Sequence, residues 1–215
     1  MDTRQAYNTW ASQYDTNANK TRDLEGTALR ASLAHLSFDR CLEIGCGTGK
    51  NTQWLTERAR QITAVDLSEE MLAKAREKIP SGGVQFRQAD ITAGWAFRDG
   101  LYDLVSFSLV LEHIQDLGHI FREAASSLLP GGYVYVGELH PFKQYTGTKA
   151  RFDTEEGRQV VECFIHHISD FTGAARQHGL TLIGIDEYFD EEEGQEPAGE
   201  QHSIPRILTL LWRKP

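Results

Sequence analysis

Three glycines in five residues, Gly45, Gly47 and Gly49, constrain this chain more than any other feature. They sit in LEIGCGTGKNT (42–52), between RCLEI (40–44), a short apolar run of strand length, and NTQWLTERA (51–59), a helix-like stretch. Alternate glycines at a strand-to-helix turn permit positive φ and let a ligand approach the backbone closely. The helix that follows presents free amide N–H groups at its N-terminus. Asp66 ends the next strand-like run, QITAVDL (61–67). A carboxylate at that place can accept both ribose hydroxyls of a bound adenosine.

The rest of the chain extends this alternation. Ser68 is an N-cap candidate, with acids in the first turn of a helix reaching about Ile79, and Pro80-Ser81-Gly82-Gly83 breaks it. VQFRQAD (84–90) alternates as a strand does, and YDLVSFSLVL (102–111) reads as a strand buried on both faces. A helix over 117–129 is followed by a turn at Pro130-Gly131-Gly132 and the strand YVYVGEL (133–139). A helix over 166–179 stops at Gly179, and strands over 180–189 and 204–214 form a long hairpin. This order predicts one α/β domain: a doubly wound, Rossmann-like sheet of seven strands, six parallel and one antiparallel, with helices on both faces. Residues 1–38 read as helical cover for that domain.

Composition narrows the function. No apolar run is long enough to span a bilayer, the N-terminus is polar, and three cysteines form no C-x-x-C pair. A cytoplasmic protein without membrane insertion is expected. Acids outnumber bases, 31 to 22, for a net charge of -9, which disfavours a nucleic-acid partner. The excess is local: residues 186–200 hold eight acids and no Lys or Arg. The expected loop, 186–203, joins the last two strands.

Two nucleotide readings compete at the glycine loop. A dinucleotide site wants G-x-G-x-x-G, but position 50 is Lys and the spacing here is G-x-G-x-G. Glu43, two residues before the loop, is awkward beside a pyrophosphate and natural beside a cationic amine. S-adenosylmethionine carries an amine and a sulfonium and no phosphate. A plain strand-to-helix turn is the bland alternative.

The ordered motifs LEIGCGTG, VDLSEEML (65–72), QADIT (88–92), YDLVSFSLVLEHIQD (102–116) and LLPGGYVYVGE (128–138) resemble those of class I S-adenosylmethionine-dependent methyltransferases. The likeness is to the small-molecule group that includes ubiquinone- and menaquinone-pathway methyltransferases, and it covers about residues 1–140. It implies methyl transfer from S-adenosyl-L-methionine to a small molecule, releasing S-adenosyl-L-homocysteine. It also implies that Glu43, Gly45, Cys46 and Gly47 hold the methionine part. Asp66 would take the ribose, Leu67 and Met71 would flank the adenine, and Asp90 and Ile91 would meet its amino edge. Ser108 would approach the sulfonium, Tyr14 in WASQYD would close over the cofactor, and Arg22 would reach the methionine carboxylate. The flipped-base element N/D-P-P-Y is missing after the fourth strand, where SFSLVLEH stands, a second argument against nucleic acid.

A hydroxyl acceptor benefits from a general base. His140 follows a strand whose carboxyl end should face the crevice. His166 and His167 open a helix after an inserted loop, and one of them could face it too. His113 is expected to stabilise a turn. No Cys, His and acid grouping has metal spacing, so no metal is expected. Residues 140–167 mix aromatics with bases and read as a substrate lid, the bases suiting a carboxylate or phosphate on the acceptor; an ordinary excursion with an extra hairpin is the alternative. A non-catalytic S-adenosylmethionine-binding module and a nicotinamide oxidoreductase are the alternatives. Oligomeric state is not legible.

Overall fold

A computed structural model of the chain describes residues 2–79, 82–154, 157–190 and 204–215. Most of the acidic connection (191–203), the tip of the 140–167 insertion (155–156) and the Pro80-Ser81 helix break lie outside the described residues.

Helices α1 (Thr3–Trp10) and α2 (Lys20–Leu33) precede the sheet. Then β1 (Arg40–Ile44), α3 (Lys50–Leu55), β2 (Gln61–Asp66), α4 (Glu69–Lys78) and β3 (Val84–Gln88) alternate. After β4 (Tyr102–Ser108), one 3-10 turn (Leu111–His113) leads to α5 (Leu117–Ser127) and β5 (Leu128–Leu139). The insertion forms α6 (Pro141–Tyr145), β6 (Arg151–Thr154) and β7 (Gly157–Val160). Last come α7 (Ile168–Gln177), β8 (Thr181–Phe189) and β9 (Pro205–Arg213).

The main sheet has the order β3-β2-β1-β4-β5-β9-β8. The first five strands are parallel, and β9 runs antiparallel to both its neighbours. The order reverses between β1 and β4, so the loops after these two strands diverge and leave a crevice, the usual ligand position in a doubly wound sheet.

Local chemistry explains the elements. Ser68 caps α4 by accepting from the Met71 amide at 3.2 Å, and Glu69 and Glu70 occupy the first turn. Asp116 caps α5 by accepting from the His119 amide at 3.1 Å. Gly179, at φ 75°, ends α7 in the left-handed cap expected there. One apolar cluster joins α5 and α7 to the sheet through Phe121, Phe171 and Trp212. A second joins α2 and α3 to it through Leu29, Leu55 and Tyr135. Helices therefore cover both faces.

One detail differs from the sequence expectation, and the extra hairpin weighed for the insertion is present. β5 begins at Leu128, before the expected turn, and Pro130-Gly131-Gly132 is a bulge inside it: pairing jumps from Tyr102↔Leu128 to Leu104↔Tyr133. The bulge is fastened by Lys214, whose O accepts from Gly131 N at 2.9 Å and whose N donates to Gly132 O at 2.8 Å. The insertion carries a two-stranded ribbon, β6–β7, that packs on α1. Trp10 and Phe152 stack with ring centres 5.0 Å apart. Ala6, Trp10, Met71, Phe152 and Val161 form a third cluster between this cover and the body.

Candidate functional site

The glycine loop after β1 has φ of 71°, 53° and 83° at Gly45, Gly47 and Gly49, a left-handed run that L side chains resist. Gly45 N and Cys46 N both donate to Val65 O, at 2.7 and 3.0 Å. Gly47 N donates to Asp66 Oδ2 at 2.8 Å, while Asp66 Oδ1 accepts from Ser68 N at 2.8 Å. One carboxylate thus ties the loop after β1 to the turn after β2. Burial holds that carboxyl above its ordinary value, against three backbone N–H groups that favour the ionised form.

The other wall is the turn after β4. Leu109 has φ 56°, the one non-glycine in that region among the described residues. Its N–H donates to Gly137 O at 2.8 Å. The next two amides, Val110 and Leu111, donate to Glu138 Oε1 at 2.9 and 2.7 Å. The two walls meet closely, because a Cβ on Gly45 would lie 2.1 Å from Val110 Cγ2.

Between the walls is a cleft of about 250 Å³ lined by Gly45, Gly47, Asp66, Leu67, Met71, Asp90, Ile91, Ser108 and Tyr14, all singled out from the sequence. Tyr7, Leu109, Val110 and His113 line it as well. Among the described residues the lining includes Asp66 and Asp90 and no lysine or arginine, so the cleft is acidic. A second cavity of about 560 Å³ lies under α1, α2 and the β6–β7 ribbon. Tyr7, Tyr14 and Leu109 line both, so these three residues form the junction.

Tyr7 and His113 were not assigned to the site from the sequence. The spacing of Tyr7, Trp10 and Tyr14, at i, i+3 and i+7, is the helical-face signal that points to the first. His113 Nδ1 lies 2.7 Å from the Glu162 carbonyl, which can only accept, so Nδ1 carries the proton. Nε2 is then the acceptor for the Tyr7 hydroxyl at 2.8 Å. That pair can pass a proton from the junction to the imidazole. His113, Glu112 and Cys163 place ligand-type atoms within 4.8 Å of one another, a grouping that spacing along the chain hides. Both imidazole nitrogens are engaged in these hydrogen bonds, so a metal ion there would have to displace one of them.

Six sequence candidates are placed elsewhere. His140 caps α6, its Nδ1 accepting from Phe142 N at 3.1 Å, and Nε2 meets Glu187 Oε1 at 2.9 Å. Its ring is turned to the β8 side because the helix start claims it. His166 is buried against Ile114 O at 2.7 Å. His167 caps α7 and meets the Tyr145 hydroxyl at 2.7 Å, exposed to solvent. None of the three lines either cavity. Arg22 donates to the carbonyls of Tyr14 and Asn17 and pairs with Asp23, so it shapes the Tyr14 turn. Glu43 accepts from Thr52 Oγ1 at 2.6 Å, binding β1 to α3 behind the cleft wall, and burial pushes its carboxyl up to about 8. Cys46 is packed in the second apolar cluster.

Known proteins share this fold. A family profile described as a methyltransferase domain matches residues 42–136. A ubiquinone biosynthesis O-methyltransferase of Xanthomonas euvesicatoria is 34% identical, over 75% of this chain and 70% of that protein. An S-adenosylmethionine-dependent methyltransferase from Mesorhizobium loti superposes with a TM-score of 0.70 at 24% identity, covering 91% of this chain and all of the other. The N-methyltransferase NodS from Bradyrhizobium japonicum, in complex with S-adenosyl-L-homocysteine, superposes at 0.72 with 16% identity over the whole of both chains.

Proposed function

The chain belongs to the S-adenosylmethionine-dependent methyltransferases, and from that premise we propose that its acidic cleft holds the cofactor and the larger cavity holds the acceptor. The enzyme transfers a methyl group from S-adenosyl-L-methionine. The cofactor supplies an electrophile already activated by the charge on sulfur, which leaves the protein to position, enclose and exclude water.

The observation that carries the reading is the acidic cleft at the sheet's switch point, lying beside a second chamber with which it shares Tyr7, Tyr14 and Leu109 as lining. Its donor set suits the cofactor. Asp66 offers a carboxylate to the ribose hydroxyls, and Leu67, Met71 and Ile91 offer apolar surface to a base. Asp90, exposed at the mouth, offers an acceptor to an exocyclic amine. Gly45 and Gly47 leave the backbone bare for the amino-acid end. Tyr14, held by Arg22, closes the chamber side.

The acceptor in this reading is a small molecule, because the chamber is an open cavity of about 560 Å³, within the roughly 300–1,000 Å³ that such ligands fill. The insertion is its lid: Ala150, Arg151, Phe152 and Asp153 form one wall. A cytoplasmic setting without nucleic acid completes the proposal, in keeping with three free thiols. No described helix is long and apolar enough to cross a membrane.

Calorimetric titration with S-adenosyl-L-homocysteine tests the cofactor assignment. Asp66→Ala should weaken binding by about tenfold or more, the worth of hydrogen bonds to a charged group. Unchanged affinity removes Asp66 from the site. Methyl transfer from labelled cofactor to a whole-cell extract tests the acceptor class, and label found only in macromolecules would exclude it.

A further inference from the structure

The acceptor chamber differs in charge from both the cofactor cleft and the chain around it. In a protein of net charge -9, its lining includes Lys20, Lys149, Arg151 and Arg206. Arg206 is committed to Asp190, with Nη2 to Oδ2 at 2.7 Å, and to Thr21 Oγ1 at 3.0 Å. Lys20 and Lys149 make no ion pair with the described residues.

The acids in the lining offset these cations only in part. Asp153 pairs with Arg158 at 3.1 Å. Glu112 is buried, its Oε2 has no hydrogen-bond partner among the described residues, and desolvation holds its carboxyl above the ordinary value, which favours the neutral form.

A second, independent feature has the same sign. The 14-residue helix α2 starts at this wall, with Asn19, Lys20 and Thr21 in the lining. Asn19 Oδ1 caps the Arg22 amide at 3.0 Å. The amides of Lys20 and Thr21 are the first in the helix and have no intrahelical acceptor. A 14-residue helix directs the positive end of its dipole the same way.

On the reading of this chamber as the acceptor site, we infer that the acceptor carries an anionic oxygen group, a carboxylate or a phosphate, bound by Lys20, Lys149, Arg151 and the first amides of α2. The anion is a handle. The reacting atom lies at the other end, at the Tyr7, Tyr14 and Leu109 junction, where the chamber meets the cleft. Trp10 and Phe152 also line the chamber, which suits a planar or apolar body. The bases of the insertion divide: Lys149 and Arg151 line the chamber and stay open to solvent, while Lys143 pairs with Asp190 and Arg158 with Asp153.

The test uses the full chain saturated with S-adenosyl-L-homocysteine and two matched pairs of probes, followed by calorimetry. The pairs are 3,4-dihydroxybenzoate with 3,4-dihydroxybenzamide, and phenyl phosphate with phenol. Each anion should bind about tenfold or more tightly than its neutral partner, and salt should reduce the difference. The triple variant Lys20→Gln, Lys149→Gln, Arg151→Gln should erase it. The variant's affinity for S-adenosyl-L-homocysteine should stay that of the parent, which shows that it is folded. Equal binding within each pair, a preference that survives the triple substitution, or no binding by either anion overturns the inference. If S-adenosyl-L-homocysteine itself fails to bind the parent chain, the fault lies in the cofactor assignment. The two failures are therefore distinct.

Discussion

Single residues in this protein do work that their neighbours in sequence do not announce. Glu43 is the clearest case. Its place beside the glycine loop suggests a ligand contact, yet its carboxyl turns to Thr52 and is buried. Burial raises it from an ordinary 4.5 to about 8. The folded state thus keeps a proton that the unfolded chain releases above its own value. The stabilising contribution is complete below about pH 4.5 and is lost as pH rises toward about 8. Glu138 behaves alike, for the same desolvation reason, with its carboxyl also near 8. The protein without ligand should therefore lose stability from about pH 5 to about pH 8. Glu43→Gln should flatten that slope and raise stability at the alkaline end by on the order of 1 kcal/mol or more. Urea midpoints at the two pH values measure it, and an unaltered slope would show that Glu43 is ionised throughout. At this scale the place of a residue was legible at Asp66, Asp90 and Tyr14, which line the cleft, while the roles given to them belong to the proposal. It was not legible for His140, because the N-terminus of α6 takes its ring, a tertiary fact. Nor was Leu109, whose strained φ leaves no mark in composition.

Among the elements, the turns after β1 and β4 decide the site, and only one of them is written in glycine. The first could be read directly, since positive φ demands the residue type. The second is held by Glu138, a strand away, and its close approach to Gly45 follows from pairing that no local pattern states. The same holds for Pro130-Gly131-Gly132, which reads as a turn and is a bulge because Lys214 pairs with it. The two glycines of the loop should therefore respond differently to alanine. At Gly45 a Cβ meets Val110 Cγ2 at 2.1 Å in addition to the left-handed strain. Gly45→Ala should cost about 2–4 kcal/mol, strain plus overpacking. At Gly47 nothing lies within 4 Å of a Cβ. Gly47→Ala should cost only the strain, about 1–2 kcal/mol, yet weaken S-adenosyl-L-homocysteine more, because the open space is where the ligand fits. Denaturation midpoints and calorimetry on both variants would separate the two effects. A larger loss of stability at Gly47 would contradict this account of the loop.

Across the whole molecule, the two cavities lie between a body and a cover. The α/β order of the body was legible because its apolar runs and breaks have two distinct periods. The cover was legible only as helices and an insertion, since the ribbon β6–β7 acquires its place by stacking Phe152 on Trp10. That contact belongs to a cluster separate from the two that hold helices to the sheet. Removing it should detach the cover and spare the body. Trp10→Ala forfeits about 3–5 kcal/mol of packing, and the loss falls on local opening of α1 and the ribbon. Hydrogen exchange should speed up there and stay slow in β1, β4 and β5. Cofactor affinity should fall as well, because Tyr7 and Tyr14 belong to the detached part. Linkage gives the check by a second route. Ligand at about a hundred times its Kd stabilises by about 2.7 kcal/mol, and each kcal/mol moves the midpoint of a chain this size by about 2–4 °C. The parent should gain roughly 5–10 °C from such ligand, and the variant, at the same concentration, only a fraction of that. If exchange instead accelerates equally in the sheet, the cover and body unfold as one unit, and the chambers are closed by the fold itself.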